Sequence, residues 1–183
     1  MAENQTPEIL STSVAYENPS FRVRHDRLRW PNGHTGDYFV IEGPPFVVII
    51  AERDGRIALV EQYRYTVDEV TRELPKGGIE AGEAPEDAAK RELLEEVGCA
   101  AETLELLATI ACNIGNARKR CYVFLAKNAI ATSDARQKDA TEGDLRCAWV
   151  SIDDLRAEIR AGKIRDQDSL AAWAVYYERR GKP

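Results

Sequence analysis

Arg91 is followed at once by Glu92 and, after two leucines, by Glu95 and Glu96, so the run RELLEE packs three carboxylates into five positions. The surrounding stretch reads as a helix. Pro85 suits its first turn, where the amide hydrogen it lacks would have no partner, and Gly98 suits the left-handed residue that closes a last turn. Ala89, Leu93 and Val97 recur every fourth residue and predict a buried stripe. At roughly 100° per residue, Glu92 and Glu96 fall about 40° apart and Glu95 about 60° to the other side of Glu92, all off that stripe. Like charges so placed repel, and near a helix C-terminus they also oppose the macrodipole. A hard divalent cation, Mg²⁺ or Mn²⁺, removes the objection, because it takes oxygen ligands and shares itself between carboxylates and substrate phosphates. Taken alone, the run also fits a solvated acidic face neighboured by Lys90 and Arg91.

The stretch upstream decides between these readings. A Gly77-Gly78 turn is expected to open it and a short acidic loop to follow. The spacing is Gly77, five residues, Glu83, seven residues, Arg91-Glu92-Leu93, one residue, Glu95-Glu96, one residue, Gly98. This resembles the Nudix box, the signature of hydrolases of nucleoside diphosphates linked to another moiety. Every fixed glycine and polar position is present. Cys99 stands where the family usually has a branched aliphatic residue, and a small buried hydrophobe serves the same purpose there.

Composition narrows the class. The 183 residues suit one domain with a small appendage, and 44% hydrophobic with 31% charged residues is ordinary for a globular protein. A net charge of −6 without a basic stripe argues against nucleic acid as a partner. No apolar run approaches a membrane span, and the polar start MAENQTPEILSTS lacks the regions of a signal peptide. The cysteines at 99, 112, 121 and 147 form no CxxC pair, so reduced buried thiols and a cytoplasmic location are expected.

Residues 1–18 lack clear periodicity and read as an arm or a first short strand. FRVRHDRLRW (21–30) alternates apolar and charged residues as a strand does; Pro31-Asn32-Gly33 signals a turn, and residues 36–42 return as a hairpin arm apolar on both faces. His25 and His34 make no metal motif. FVVIIA (46–51) is a strand buried on both faces, Arg53-Asp54-Gly55-Arg56 a hairpin turn, and IALVEQY (57–63) the returning strand. Glu73 to Lys76 forms a short strand leading into the box. Beyond it, residues 103–111 are extended, NIGNARKR (113–120) is a polar loop or turn, CYVFLA (121–126) a strand, 132–143 a long loop, and 145–150 a strand. Ser151 caps a short helix ending at Gly162, and Asp168 or Ser169 starts a terminal helix. Strands mixed with helices on both sides make an α/β/α sandwich with a mixed sheet, here with a small N-terminal β-hairpin appendage; the boundaries are 1–43 and 44–183.

Outside the box, the chain from about Val23 to Tyr177 resembles the branch of the Nudix family that hydrolyses ADP-ribose and other nucleoside diphosphate sugars. The stretches that carry the likeness are RVRHDRLRWPNG, LVEQYRY, RELPKGGIEAGE and GKIRDQDSLAAWAVYY, the last with an Ile-x-Asp-x-x-Ser pattern. The resemblance implies a homodimer that exchanges its hairpin. It implies that Glu92, Glu95, Glu96 and the Lys76 carbonyl hold divalent ions, that Arg91 orients the carboxylates, and that Arg64 touches the diphosphate. Glu73 and Glu83 would be supporting acidic positions, and Glu142 the base, with Asp139 and Asp144 behind it. The branch commonly has a proline beyond the box, and none occurs here between Pro85 and Pro183. Arg118, Lys119 and Arg120 stand in that region and are similar to basic residues of diphosphoinositol polyphosphate hydrolases; ELPKGGIE also occurs in diadenosine polyphosphate hydrolases. A polyphosphate substrate is therefore the alternative, and a regulator that binds nucleotide without hydrolysis is a lesser one.

Overall fold

The computed structural model describes residues 6–132 and 145–180. The chain forms two compact units, one from the residues up to 45 together with 111–120, the other from 46–110 together with those from 121 onward.

The first unit is built on three antiparallel strands, β1 (Glu8–Glu17), β2 (Arg22–Arg29) and β3 (Thr35–Glu42). What reads as a formless arm is a ten-residue strand. Its register against β2 shifts twice, between Ile9 and Ser11 and between Val14 and Tyr16. Each shift breaks the two-residue alternation, which is why the sequence shows no strand period there. Every residue of β1 is exposed. The interior of this unit is partly ionic. Asp26 is buried and accepts from the Arg24 guanidinium at both oxygens and from the Thr12 hydroxyl at 2.8 Å. Glu42 gathers Arg22 and Arg24, each at 2.6 Å. His25 bonds Asp37 and stacks on Phe39, an ordinary surface arrangement.

The second unit contains β4 (Phe46–Arg53), β5 (Arg56–Arg64), β6 (Glu69–Glu73), β7 (Lys76–Gly78) and helix α1 (Pro85–Glu92), which continues as a π turn over Leu93–Val97. Then come β8 (Cys99–Ala100), β9 (Leu104–Cys112), β10 (Ala117–Lys127), β11 (Ile130–Ala131), β12 (Arg146–Ser151), α2 (Ile152–Arg160) and α3 (Gln167–Arg180). β4 and β5 meet at a two-residue turn in which Asp54 and Gly55 both have positive φ, 51° and 70°, the hairpin turn that matches strand twist. β10 runs parallel to β4, whereas β5 pairs antiparallel with β4, β6 and β12, so the sheet is mixed. Along β4, Val47, Ile49 and Ala51 pack with Ala88, Ala89, Leu93 and Val97 of the α1 side. Successive strand residues face opposite ways, and Glu52, on the face of Val48 and Ile50, meets Tyr176 of α3 at 3.0 Å. The sheet of this unit is therefore covered by helices on both faces.

Two expectations are corrected. Residues 113–120 are not all loop: a turn at Asn113 (φ 46°) ends by Asn116, and β10 begins at Ala117, so Arg118, Lys119 and Arg120 are strand residues. Gly77-Gly78 is not a turn but the end of β7, with Gly77 opposite Val47 and Gly78 opposite Phe46. The pairing partner lies thirty residues upstream, and a local reading of two glycines cannot see it. The cysteines carry no disulfide, and Cys99, Cys112 and Cys121 are buried.

Candidate active site

Helix α1 is framed by the residues that the sequence marks. Pro85 occupies its first turn, and Gly98 closes the π turn in the left-handed conformation, φ 67°. The buried stripe of Ala89, Leu93 and Val97 is present. Helix periodicity sets the glutamates off the stripe, yet Glu92 and Glu96 are 7% and 1% exposed, as buried as the stripe, which also excludes a solvated face for them. The helix widens over Leu93–Val97, so the angular spacing of a regular α-helix stops at Glu92; such π turns recur at functional sites.

Arg91 organises the cluster. Its Nε and Nη2 grip Glu83, each at 3.0 Å, in a bidentate pair; Nη1 donates to Glu92 at 2.7 Å and Glu95 at 3.1 Å; Nη2 also donates to the Gly78 carbonyl at 2.8 Å. The Glu83 bond, then Glu92, hold the guanidinium firmly protonated against the effect of burial. In return Arg91 keeps the Glu83 carboxyl below its usual range. Glu96 accepts the Lys76 backbone N–H at 2.9 Å. Gly77 makes room for Glu92: a Cβ there would lie 1.9 Å from Oε1.

Beside this cluster, a cavity of about 580 Å³ is lined by Arg64, Thr71, Glu73, Lys76, Arg165 and Asp166, among others. Glu73 is almost fully buried at its wall. Arg64 grips it with Nε at 2.9 Å and Nη2 at 2.6 Å, Lys76 Nζ stands at 2.9 Å, and the Thr71 hydroxyl donates to it. Burial alone would push this carboxyl up; Arg64, Lys76 and Thr71 outweigh it and bring it down to about 2. Burial likewise opposes the charge on Lys76, but Asp166 and Glu73 raise its affinity for the proton.

The structure thus brings together Lys76, Glu83, Arg91, Glu92, Glu95 and Glu96, and joins Arg64 and Glu73 to them through Lys76. Arg118 and Arg120 belong to the other unit, where Arg118 faces Glu42 at 3.6 Å. Glu142, Asp139 and Asp144 lie outside the described residues. In the sequence, Asp166 and Ser169 stand out through the Ile-x-Asp-x-x-Ser pattern and Ser169 as a candidate helix start, with no role at the site for either. They bond Lys76 and Leu74, contacts between segments about ninety residues apart that no local signal announces.

Among the described residues, no three acidic, histidine or cysteine side chains stand ready-made around one point. Arg91 holds both Glu92 and Glu95 on one nitrogen, Nη1, and the Lys76 amide takes Glu96. The donor chemistry nonetheless fits a hard dication: Glu92, Glu95 and Glu96 offer carboxylate oxygens from neighbouring positions of one helix, the ligand type that Mg²⁺ and Mn²⁺ take.

Comparison with known proteins gives a consistent picture. The NUDIX domain family matches residues 42–172, and the nucleoside diphosphate sugar hydrolase N-terminal domain matches residues 8–41. An ADP-ribose pyrophosphatase of Mycobacterium tuberculosis is 31% identical over 175 residues, 93% of this chain and 83% of that protein. A methanol dehydrogenase activator of Bacillus methanolicus is 28% identical over 164 residues, 89% of this chain and 88% of that one. A solved structure, of an ADP compounds hydrolase, shares the fold with a TM-score of 0.86 over all of both chains at 20% identity.

Proposed function

The chain belongs to the NUDIX domain family, and from that premise we propose that it hydrolyses the pyrophosphate bond of ADP-ribose or another nucleoside diphosphate sugar. The products are a nucleoside monophosphate and a sugar phosphate. The observation that carries this reading is the intact carboxylate set organised by Arg91, in a chain whose N-terminal residues match the nucleoside diphosphate sugar hydrolase domain.

Glu92, Glu95, Glu96 and the Lys76 carbonyl would hold Mg²⁺ or Mn²⁺. Such an ion polarises phosphoryl oxygens, neutralises developing charge and makes hydroxide accessible at neutral pH. Arg91 fixes the directions of Glu92 and Glu95, and its own position is set by the fork on Glu83. Arg64 spends Nε and Nη2 on Glu73, which aims the guanidinium and leaves Nη1 for a diphosphate oxygen. Glu142 is the proposed acceptor of the water's proton.

The protein acts as a homodimer in this reading. In support, β1 presents ten exposed residues, and Ile9, Val14, Tyr16, Phe39 and Ile41 expose much of their apolar surface. Among the described residues no helix is long and apolar enough to cross a membrane, and the cytoplasm is the proposed compartment.

The test is turnover of ADP-ribose, ADP-glucose, GDP-mannose, diadenosine polyphosphates and diphosphoinositol phosphates with Mg²⁺ or Mn²⁺. Highest kcat/KM on a nucleoside diphosphate sugar is expected. Preference for a polyphosphate would move the assignment to the alternative that Arg118 and Arg120 favour, and binding without turnover of any would leave a regulator.

A further inference from the structure

We infer that Asp166 is a positioning residue for Glu96, acting through the two ends of Lys76; the inference rests on the hydrolase reading above. Lys76 faces two ways. Its backbone N–H donates to Glu96 Oε2 at 2.9 Å, and its ammonium reaches Asp166 Oδ1 at 2.7 Å and Glu73 Oε2 at 2.9 Å. Leu74-Pro75 lies in the break between β6 and β7, and the Pro75–Lys76 peptide that presents this amide is tied to β4: the Pro75 carbonyl accepts the Ile49 N–H at 2.8 Å, and Lys76 pairs with Val48. Helix α3 adds a second hold from the other side of the break: the Leu74 N–H donates to the Ser169 hydroxyl at 2.8 Å, and that hydroxyl donates to Asp166 Oδ2 at 2.6 Å.

Asp166 has both oxygens committed. Oδ2 caps α3 by accepting the Ser169 N–H at 2.9 Å, and Oδ1 holds Lys76. The parts are out of water: Ser169 is 2% exposed, and the side chains of Lys76 and Asp166 are 15% and 17% exposed. A buried ammonium held closely by Asp166 and Glu73, with Asp168 farther off at 4.0 Å, cannot swing away without leaving charge unpaired. Lys76 is thereby held at both ends, its peptide by β4 and its ammonium by Asp166 and Glu73, and its amide sets where the Glu96 carboxylate points. A helix cap alone would need only Oδ2.

Asp166→Asn separates the two roles, because asparagine caps a helix as well as aspartate but brings no charge to Lys76. Ser169→Ala removes the Leu74 bond independently. The measurements are amide hydrogen exchange of Lys76 by NMR, Mn²⁺ affinity of the full chain by EPR, and steady-state kinetics with ADP-ribose. In both variants the Lys76 amide is expected to exchange faster. Mn²⁺ is expected to bind about 10-fold more weakly, within the range for losing an outer partner of a metal ligand, with kcat falling and KM holding. Wild-type exchange and Mn²⁺ affinity in Asp166→Asn would overturn the inference. A wild-type protein that cleaves none of the substrates would instead overturn the hydrolase reading, and the exchange data would still judge the coupling of Asp166 to Lys76.

Discussion

The carboxylate of Glu92 occupies the space that any side chain at residue 77 would fill. A Cβ on Gly77 would sit 1.9 Å from Oε1, 2.0 Å from Cδ and 2.4 Å from Oε2. Gly77 cannot retreat, because it is paired with Val47 in the β7–β4 ladder. Glycine is demanded here by close approach rather than by an unusual backbone angle.

Gly77→Ala should therefore expel Glu92 from its place beside Arg91. The expected result is a loss of kcat/KM on the order of 100-fold with ADP-ribose, together with the roughly 1–3 kcal/mol typical of overpacking. Steady-state kinetics and urea unfolding measure both. Wild-type kinetics would show that Glu92 has no part in turnover.

Glu96→Gln keeps the size and one acceptor for the Lys76 amide but removes the charge. The fold should survive, with an unchanged circular dichroism spectrum. Turnover should fall by more than the roughly 10–100-fold that loss of an outer partner brings, since here the proposed ligand itself is lost. Undiminished turnover in the folded variant would remove Glu96 from the metal site.

Arg91→Lys retains the charge and forfeits the fork on Glu83 and the simultaneous reach to Glu92, Glu95 and the Gly78 carbonyl. A loss of about 2 kcal/mol is expected from broken charge-assisted bonds, with a lower kcat. Equal urea midpoints would mean that the bidentate geometry contributes nothing.

Glu73 gives stability a direction in pH. Its folded-state pKa of about 2 lies below the ordinary 4.5, so its contribution is complete above about 4.5 and disappears as the pH falls towards 2. With chelator present, the wild type should lose stability through that window. Glu73→Gln should start lower and fall less steeply between the same limits. Parallel curves for the two proteins would refute the assignment.

The exposed strand β1 is an unpaired edge, which on a monomer is a template for joining another chain. Light scattering should report a dimer for the wild type. Replacing Ile9 and Val14 together with lysine should yield a monomer with impaired turnover. A wild-type monomer, or an unaltered dimer in the variant, would end the proposal of hairpin exchange.

What could be read from the sequence was what neighbouring residues decide. Pro85, Gly98 and the four-residue stripe framed α1 because capping and burial periodicity act within a few turns. The Asp54-Gly55 turn was legible for the same reason. The burial of Glu92 and Glu96 was not, since it depends on the π turn, on the void at Gly77 and on an amide from Lys76. β1 was obscured by two bulges, and the start of α3 by one or two residues, because Asp166 rather than Asp168 or Ser169 caps it. The union of Lys76 with Asp166 joins segments that only the folded chain brings within reach.

Strand β10 has a consequence for anyone who would dissect this protein. Its first residues pair with β3 and its later ones with β4, so one uninterrupted stretch of backbone serves both units. Deleting everything before residue 46 would strip Ala117 and Arg118 of their partners Ile41 and Glu42 and leave a bare stub on the surviving domain. A clean excision needs a second cut that replaces residues 111–120 with a short connector.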